Sequence, residues 1–261
     1  MNIVVCMKQV PGTTEVKIDP ETNTLIRQGI ENIINPFDTY ALEEGVRLKE
    51  QHGGTVTVIT MGPPQAEDAL RECISLGADE VILLSDRAFA GADTWATAFT
   101  LSSAVKKLES CDLIICGRQT IDGDTGQVGP EMAEMLDVPF IAYVSAIEEI
   151  NGNAIKLKRL TEEGYEVIES TLPAIITVAK EINIPRLPSL RGKMKARSAA
   201  VTTWDRAAID ADENNVGLAG SSTQVIKIFF PQREHQAEML EGNAETTAKA
   251  LTERLKKAGL C

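Results

Sequence analysis

The chain has 261 residues, 43% of them hydrophobic, and a formal net charge of −12 at pH 7. That size suits one large domain, or a domain with an appendage, around a substantial core. The acidic balance argues against nucleic acid and anionic membranes as partners. No apolar run is long enough to span a membrane, and no leader pattern precedes the first apolar run. We therefore expect a cytoplasmic protein without membrane insertion.

The five cysteines show no paired spacing, which argues against a disulfide framework. Cys116 falls within an apolar run, where a buried thiol acting as a small hydrophobe is the simpler interpretation. His52 and His235 stand apart from each other and from any acidic pattern. We expect no metal site.

Strands and helices alternate four times in the first half of the chain. Helix signals are Asp38 as an N-cap, Pro64 in a first turn and Asp93 as a further N-cap. Apolar runs predict strands at residues 2–7, 55–60, 81–84 and 113–116. The alternation predicts a doubly wound α/β fold, with a mostly parallel sheet, right-handed crossovers and helices on both faces.

The first strand leads into a long polar excursion, with a possible hairpin through Pro20 to Asn23. Lys8 and Gln9 follow the strand at its mouth, where Lys8 is more simply a solvated loop residue. Excursions of this kind, at the carboxyl end of a strand, often shape a ligand site in open α/β sheets.

The stretch Asp112–Leu136 predicts a buried strand, a glycine-bearing loop and a helix start. A helix N-terminus offers unpaired amides to a phosphate, and glycines allow close approach. The loop fits neither common phosphate motif, so a plain strand-to-helix connection stays open. Asp122 and Asp124 are spaced for a metal, but no third oxygen ligand follows, and we interpret them as groups that shape the loop or contact a ribose or amide.

In a parallel sheet, ligands bind beyond the carboxyl ends of the strands, where the strand order reverses. This rule places Cys6, Met61 and Gly117 on one rim. The sequence therefore predicts a nucleotide site there, with no catalytic side chain of the protein itself, since no nucleophile and base are paired.

After Pro139 the pattern changes to closely spaced strands, with Asn151-Gly152 as a hairpin turn, which predicts a mixed-sheet extension. Residues 181–197 carry prolines and basic residues and predict an exposed loop. Its Leu187 and Leu190 either anchor in a partner or fold back on the body. We expect one domain at 1–205 that includes this loop.

Residues 206–261 are expected to form a linker and a C-terminal arm. Ala211 to Thr223 is rich in Gly, Ser and Asn, which favours a flexible link, and residues 225–231 are strand-like. Residues 244–258 predict a helix with a thin apolar stripe, expected to pack on a partner subunit or on the chain's own sheet.

Five stretches resemble the electron transfer flavoprotein β subunits, in the same order along most of the chain. They are KQVPGTTEVKID at 8–19, INPFD at 34–38, LGADE at 76–80, GRQTIDGDTGQVGP at 117–130 and LPSLRGKMKAR at 187–197. The resemblance implies a heterodimer with an α subunit that holds one FAD. It also implies a β-subunit pocket that holds AMP in many members and a second FAD in the electron-bifurcating branch.

The opening of the chain looks more like the anaerobe type of β subunit, so FAD is favoured over AMP. In that branch NADH reduces the β-bound flavin, which sends one electron to ferredoxin or flavodoxin. The other passes through the α-subunit FAD to an acyl-CoA (butyryl-CoA) dehydrogenase. Rival classes are a non-redox nucleotide sensor and an ATP-cleaving enzyme, and the latter would need an SGG-x-DS loop where this chain has CMKQVPG.

The resemblance also assigns residues. The cofactor residues are Cys6, Asn35, Pro36, Phe37, Asp38 and Met61 at the adenine end, and Gly117, Gln119, Asp122, Gly123, Asp124, Thr125, Gly126, Gln127 and Val128 toward the phosphates. Some relatives carry Cys in place of Asp38. The partner-binding residues of the 181–197 recognition loop are Leu187, Leu190, Arg191 and Met194, with Leu190 at the position of the anchoring leucine.

Overall fold

The computed structural model describes residues 1–12, 17–18, 25–26, 31–226 and 239–260. The chain divides into two compact units, Met1–Ile226 and Lys227–Cys261.

The first unit is built from strands and helices in alternation. Its strands are β1 Asn2–Cys6, β2 Gln9–Pro11, β3 Lys17–Ile18, β4 Leu25–Ile26, β5 Asn32–Ile34, β6 Thr55–Met61, β7 Glu80–Leu84, β8 Leu113–Gly117, β9 Phe140–Asn151, β10 Ala154–Thr161, β11 Gly164–Thr171, β12 Ala174–Val178 and β13 Thr202–Trp204. Its helices are α1 Pro36–His52, α2 Glu67–Leu76, α3 Thr94–Lys107, α4 Val128–Leu136 and α5 Leu190–Ser198. The predicted strands and helices of the first half are therefore present, with small shifts at their ends.

Nine strands form one sheet in the order β11-β10-β9-β12-β8-β1-β6-β7-β13. From β9 through β12, β8, β1, β6 and β7 to β13 every neighbouring pair is parallel. The central strands are mostly apolar, as expected for strands buried on both faces. The doubly wound, mostly parallel sheet predicted from the sequence is confirmed.

Each face of the sheet carries its own core. Alternate residues of β1 show the division, because Ile3 and Val5 pack with α1 and α2, whereas Val4 and Cys6 pack with α3 and α4. Side chains of a strand point to opposite faces in turn. The helices therefore cover both faces, as a doubly wound fold requires.

The mixed-sheet extension is also present. Strands β9, β10 and β11 pair antiparallel, and Asn151 and Ala154 face each other at the first hairpin. Gly152 has a φ of 61° in that turn, a conformation that glycine adopts without steric cost. The chain then returns through β12 into the parallel part of the sheet.

The polar excursion after β1 forms two small ladders. β2 pairs antiparallel with β5, and β3 pairs antiparallel with β4. The strands on either side of the predicted hairpin therefore pair, while the turn Pro20–Asn23 itself lies outside the described residues.

The prediction of a flexible link at Ala211 to Thr223 is wrong. Ala211 and Val216 are buried in the core on the α3 side, and Thr223 donates its backbone N–H to Asp93 at 2.9 Å. The first compact unit accordingly extends to Ile226, past the boundary expected at residue 205. Buried apolar residues outweigh the polar composition of this segment.

The second unit contains helix α6, Ala244–Lys257. Asn243 caps it by accepting from the backbone N–H of Thr246 at 3.0 Å. Residues 227–231 of the predicted strand-like run lie outside the described residues. Among the described helices, none is long and apolar enough to cross a membrane.

Candidate nucleotide-binding site

The strand order reverses between β1 and β8. From β1 the chain proceeds to β6 and β7 on one side and later returns to β8 on the other. Cys6 and Cys116 are register partners near the ends of these two strands. Beyond their carboxyl ends lies the crevice where open α/β sheets bind ligands.

The first turn of α1 reaches the end of β8 because residue 117 is glycine. A Cβ atom at Gly117 would lie 2.7 Å from the carbonyl carbon of Phe37 and 2.8 Å from the backbone nitrogen of Asp38. Both atoms belong to backbone and cannot move aside cheaply. Gly117 therefore allows a helix N-terminus to close one side of the crevice.

Asn35 ties this helix start to the loop after β8. Its fully buried side chain donates to the carbonyl oxygen of Gln119 at 2.9 Å and accepts from the backbone N–H of Ile121 at 3.1 Å. Its backbone N–H donates to the carbonyl oxygen of Lys8 at 2.9 Å. One buried residue thus joins three chain segments, and both polar ends of its side-chain amide are satisfied.

Asp38 does not cap α1, contrary to the prediction. The helix begins at Pro36, with Asn35 in the N-cap position, so Asp38 lies in the first turn. Its carboxylate is buried and accepts from the backbone N–H of Lys8 at 2.8 Å. Burial raises the pKa of Asp38 to about 7, although hydrogen bonds from Lys8, Asn35 and Gly117 oppose the shift.

The sequence context suggested that Lys8 is a solvated loop residue, but its side chain has a partner. Its Nζ lies 2.6 Å from Oδ2 of Asp122. Burial raises the pKa of Asp122, but the hydrogen bond and charge of Lys8 outweigh this and hold it below its usual value. The contact holds the loop after β8 against the segment that follows β1.

The loop ends in an open helix N-terminus. Residues 121–127 are all exposed, and Gln127, in the N-cap position of α4, makes no side-chain cap hydrogen bond. Within the loop, Asp124 and Gly126 have φ values of 50° and 62°, and Gln119 donates to Asp124 at 2.8 Å. The first amides of α4, at Val128 and Gly129, have no partner within the helix, which suits an anion.

The structure brings most of the predicted cofactor residues to this crevice. Those around it are Asn35, Pro36, Phe37, Asp38, Gly117, Gln119, Asp122, Gly123, Asp124, Thr125, Gly126, Gln127 and Val128. Met61 ends β6 on the same rim. The thiol of Cys6 points instead into the core, 4.0 Å from the Met132 sulfur, where a hydrogen bond with Cys116 and burial raise its pKa well above the usual range.

Two residues beside the crevice carried no sequence signal. Arg118 follows Gly117 and lies 5.2 Å from the ring centroid of Tyr143, a distance typical of a cation–π contact. Tyr143 has a φ of 58°, which is strained for a bulky side chain. The apolar run around Tyr143 predicts a regular strand and gives no sign of this bend.

The predicted recognition loop is partly helical, which corrects the expectation of a loop. Helix α5 begins at Leu190, and Ser189 caps it by accepting from the backbone N–H of Gly192 at 2.9 Å. Leu187, Leu190 and Met194 expose 88%, 84% and 72% of their surface. These side chains therefore do not fold back on the body. They and the neighbouring Arg191 are called the docking surface below.

Sheet order, switch point and open helix N-terminus define a doubly wound, Rossmann-like α/β protein with a crevice suited to an anionic ligand. The family described as "Electron transfer flavoprotein domain" matches residues 22–209. Together with the relatives below, which match nearly its full length, this shows that the chain belongs to the electron transfer flavoprotein β-subunit family.

Three relatives illustrate the match. The electron transfer flavoprotein subunit beta of Thermoanaerobacterium thermosaccharolyticum is 50% identical, over 98% of both chains. The caffeyl-CoA reductase-Etf complex subunit CarD of Acetobacterium woodii is 48% identical, also over 98% of both. Protein FixA of Azotobacter vinelandii is 46% identical, over 93% of this chain and 89% of the relative.

Proposed function

We propose that this chain is the β subunit of a heterodimeric, electron-bifurcating electron transfer flavoprotein in the cytoplasm, with FAD in the crevice between β1 and β8. It accepts electrons from NADH. It delivers one to ferredoxin or flavodoxin and the other, through the α-subunit FAD, to an acyl-CoA dehydrogenase. The observation that carries the proposal is the N-terminus of α4 at the switch point, which has no side-chain cap and follows an exposed loop.

The residues of the crevice fit the phosphate end of such a cofactor. The amides of Val128 and Gly129, which have no partner within the helix, suit a phosphate, and the glycine at 117 lets α1 approach closely. The loop residues 121–127 before α4 are exposed. The resemblance of the chain's opening to the anaerobe type of β subunit favours FAD over AMP.

The flavin supplies the redox chemistry when bound, and the chain binds and orients it. Val128 and Gly129 hold the phosphates, Asn35 fixes the loop against α1, and Lys8 offsets the charge of Asp122 beside the anion. The buried Asp38 holds the backbone of Lys8 in place. None of these groups needs to break or form a bond.

The partner proposal draws on similarity and on the docking surface. The name of CarD places that relative in a caffeyl-CoA reductase complex, which supports an acyl-CoA-oxidising or -reducing flavoprotein as partner here. An apolar patch with basic neighbours is a suitable anchor for such a protein. The exposed helix α6, none of whose described residues is buried, is proposed to pack on the α subunit.

The test is the nucleotide content of the heterodimer purified after coexpression. The absorption spectrum counts the flavins, and chromatography of the released nucleotides identifies them. Two flavins per heterodimer support bifurcation, whereas one flavin with AMP would make the protein a plain electron carrier. A colourless complex with a bare adenine nucleotide would favour a non-redox sensor and sink the proposal. For two-flavin protein, NADH should reduce ferredoxin only when the acyl-CoA dehydrogenase and its oxidised substrate are present.

A further inference from the structure

A single arginine fixes the segment that leads into the docking surface. Arg186 donates to Glu43 through Nε at 2.7 Å and through its second terminal nitrogen at 3.2 Å. The terminal nitrogens also donate to the two carboxylate oxygens of Glu50, at 2.7 and 3.0 Å. The planar guanidinium thus binds the carboxylates of Glu43 and Glu50 on α1 at the same time. The ammonium group of a lysine, a single point charge, cannot do this.

Glu43 is the buried half of this contact. It is 5% exposed, and a buried carboxylate is tolerated only when donors satisfy it. It receives the backbone N–H of Arg186 at 3.1 Å and Nε of Arg47 at 2.7 Å. Burial raises the pKa of Glu43, yet the hydrogen bonds from Arg186 and Arg47 outweigh it and leave the pKa below its usual value.

A second tether lies three residues earlier. Asn183 donates to the carbonyl oxygen of Tyr40 at 3.0 Å and to Glu44 at 2.9 Å. The segment from Asn183 to Arg186 therefore lies along α1 and is held at both ends. Leu187, the next residue, is almost fully exposed, so the contact with α1 ends where the docking surface begins.

The far end of the docking surface is held by α2. Arg71 donates to the carbonyl oxygens of Ala196 and Ala199 at 2.9 and 3.1 Å, and Lys195 donates to the carbonyl oxygen of Ala78 at 3.1 Å. The exposed apolar side chains thus lie on a segment that is attached to α1 at one end and to α2 at the other. Without the side-chain contacts of Arg186, the attachment nearest to Leu187 would be lost, and the Asn183 tether further back would remain.

We infer that Arg186 is a positioning residue for partner docking. Its contact with Glu43 and Glu50 holds the docking surface in the arrangement that the partner meets, and ties it to the helix whose first turn closes the nucleotide crevice. The inference rests on the proposed function. A surface ordered in advance avoids the entropy cost of ordering on binding, so loss of the contact should weaken partner affinity and spare the chemistry.

The experiment uses the full heterodimer and a purified butyryl-CoA dehydrogenase as the electron-transfer partner. Arg186→Gln should raise the KM for the dehydrogenase about tenfold with kcat unchanged, since several side chains must then be ordered on docking. Glu50→Gln keeps the Glu43 contact and should raise KM only about threefold. Arg186→Lys should recover part of the loss. Arg47→Gln is the matched control, because it removes another Glu43 partner while leaving the tether, and it should leave KM unchanged.

A double-variant cycle with Leu190→Ala separates positioning from general damage. If Arg186 acts through the docking surface, adding Arg186→Gln to Leu190→Ala should change KM less than twofold. Fully additive effects, an unchanged KM in Arg186→Gln, or a lowered nucleotide content in that variant would each overturn the inference while leaving the proposed function intact. An unchanged KM in Leu190→Ala alone would instead remove the docking surface itself, and with it the proposed partner.

Discussion

The Nζ atom of Lys8 and Oδ2 of Asp122 lie 2.6 Å apart, although 114 positions separate the two residues in the chain. Lys8 follows β1 and Asp122 belongs to the loop after β8, so the pair spans the switch point. The two side chains are 47% and 33% exposed, and surface pairs of this kind add only about 0.2–1 kcal/mol to stability. Their larger effect should be on an anion bound beside them.

The charge of Asp122 provides the first prediction. In Lys8→Gln the carboxylate loses its partner and repels a phosphate, so the Kd for AMP titrated into nucleotide-free protein should rise severalfold. Lys8→Gln/Asp122→Asn should recover most of that loss, because the repulsion is gone. Raising the ionic strength should shrink the difference between native and Lys8→Gln protein. Equal losses in the single and double variants would show that Lys8 contacts the ligand directly.

Gly117 provides the second prediction. A methyl group at this position meets the backbone of Phe37 and Asp38, so Gly117→Ala should lower the free energy of unfolding by about 1–3 kcal/mol and abolish AMP binding. Gly123→Ala is the matched control for stability, since its Cβ would meet only Oγ1 of Thr120, at 3.6 Å. Urea unfolding of both variants gives the comparison, and AMP titration follows binding in Gly117→Ala. A tolerated Gly117→Ala would mean that α1 need not approach β8 so closely.

Leu190 provides the third prediction. It is 84% exposed at the start of α5, where an apolar side chain gains most from entering a partner's pocket. Leu190→Ala should raise the KM for the acyl-CoA dehydrogenase about tenfold, the equivalent of roughly 1.4 kcal/mol, with flavin content unchanged. Val167→Ala, an exposed apolar truncation on β11, should have no such effect. Identical transfer kinetics in all three proteins would remove the docking surface.

The parts of the structure that follow from local signals could be predicted from the sequence. Asp93 does cap α3, accepting from the backbone N–H of Ala96 at 3.0 Å, because a cap depends on neighbours only three residues away. The apolar runs of the central strands are equally direct, since burial on both faces leaves no alternation. The rule for switch points then locates the crevice without any coordinates.

The parts of the structure that depend on contacts between residues far apart in the sequence could not be predicted. Pro36 and Asp38 are both acceptable helix-start signals. The choice between them depends on Lys8, whose backbone N–H donates to the carboxylate of Asp38. Helix α5 is basic and contains Gly192, and the hydrogen bonds from Arg71 on α2 to the carbonyl oxygens of Ala196 and Ala199 support its C-terminal end. Val216 is buried, but the polar residues around it in this Gly- and Ser-rich segment give no sign of its burial.

Asp38 provides the last prediction, which concerns pH. Burial raises its pKa in the folded chain from 3.8 to about 7. Between these values the unfolded chain releases the proton and the folded chain keeps it, so stability falls as pH rises through that window. Below the window both states are protonated, and above it both are ionised. At roughly 1.4 kcal/mol per pKa unit, the total fall should be a few kcal/mol.

Urea unfolding of the nucleotide-free chain at pH 5, 6, 7 and 8 tests this, with Asp38→Asn as the comparison. The difference in unfolding free energy between variant and native protein should increasingly favour Asp38→Asn up to about pH 7 and then level off. Glu44 and Glu131, whose pKa values burial also raises, cancel in this difference. Asp86→Asn is the control, because backbone hydrogen bonds lower the pKa of Asp86 and its effect should be constant from pH 5 to 8. A constant difference for Asp38→Asn as well would mean that Asp38 is ionised in the folded chain throughout, with its backbone hydrogen bonds offsetting the cost of burial.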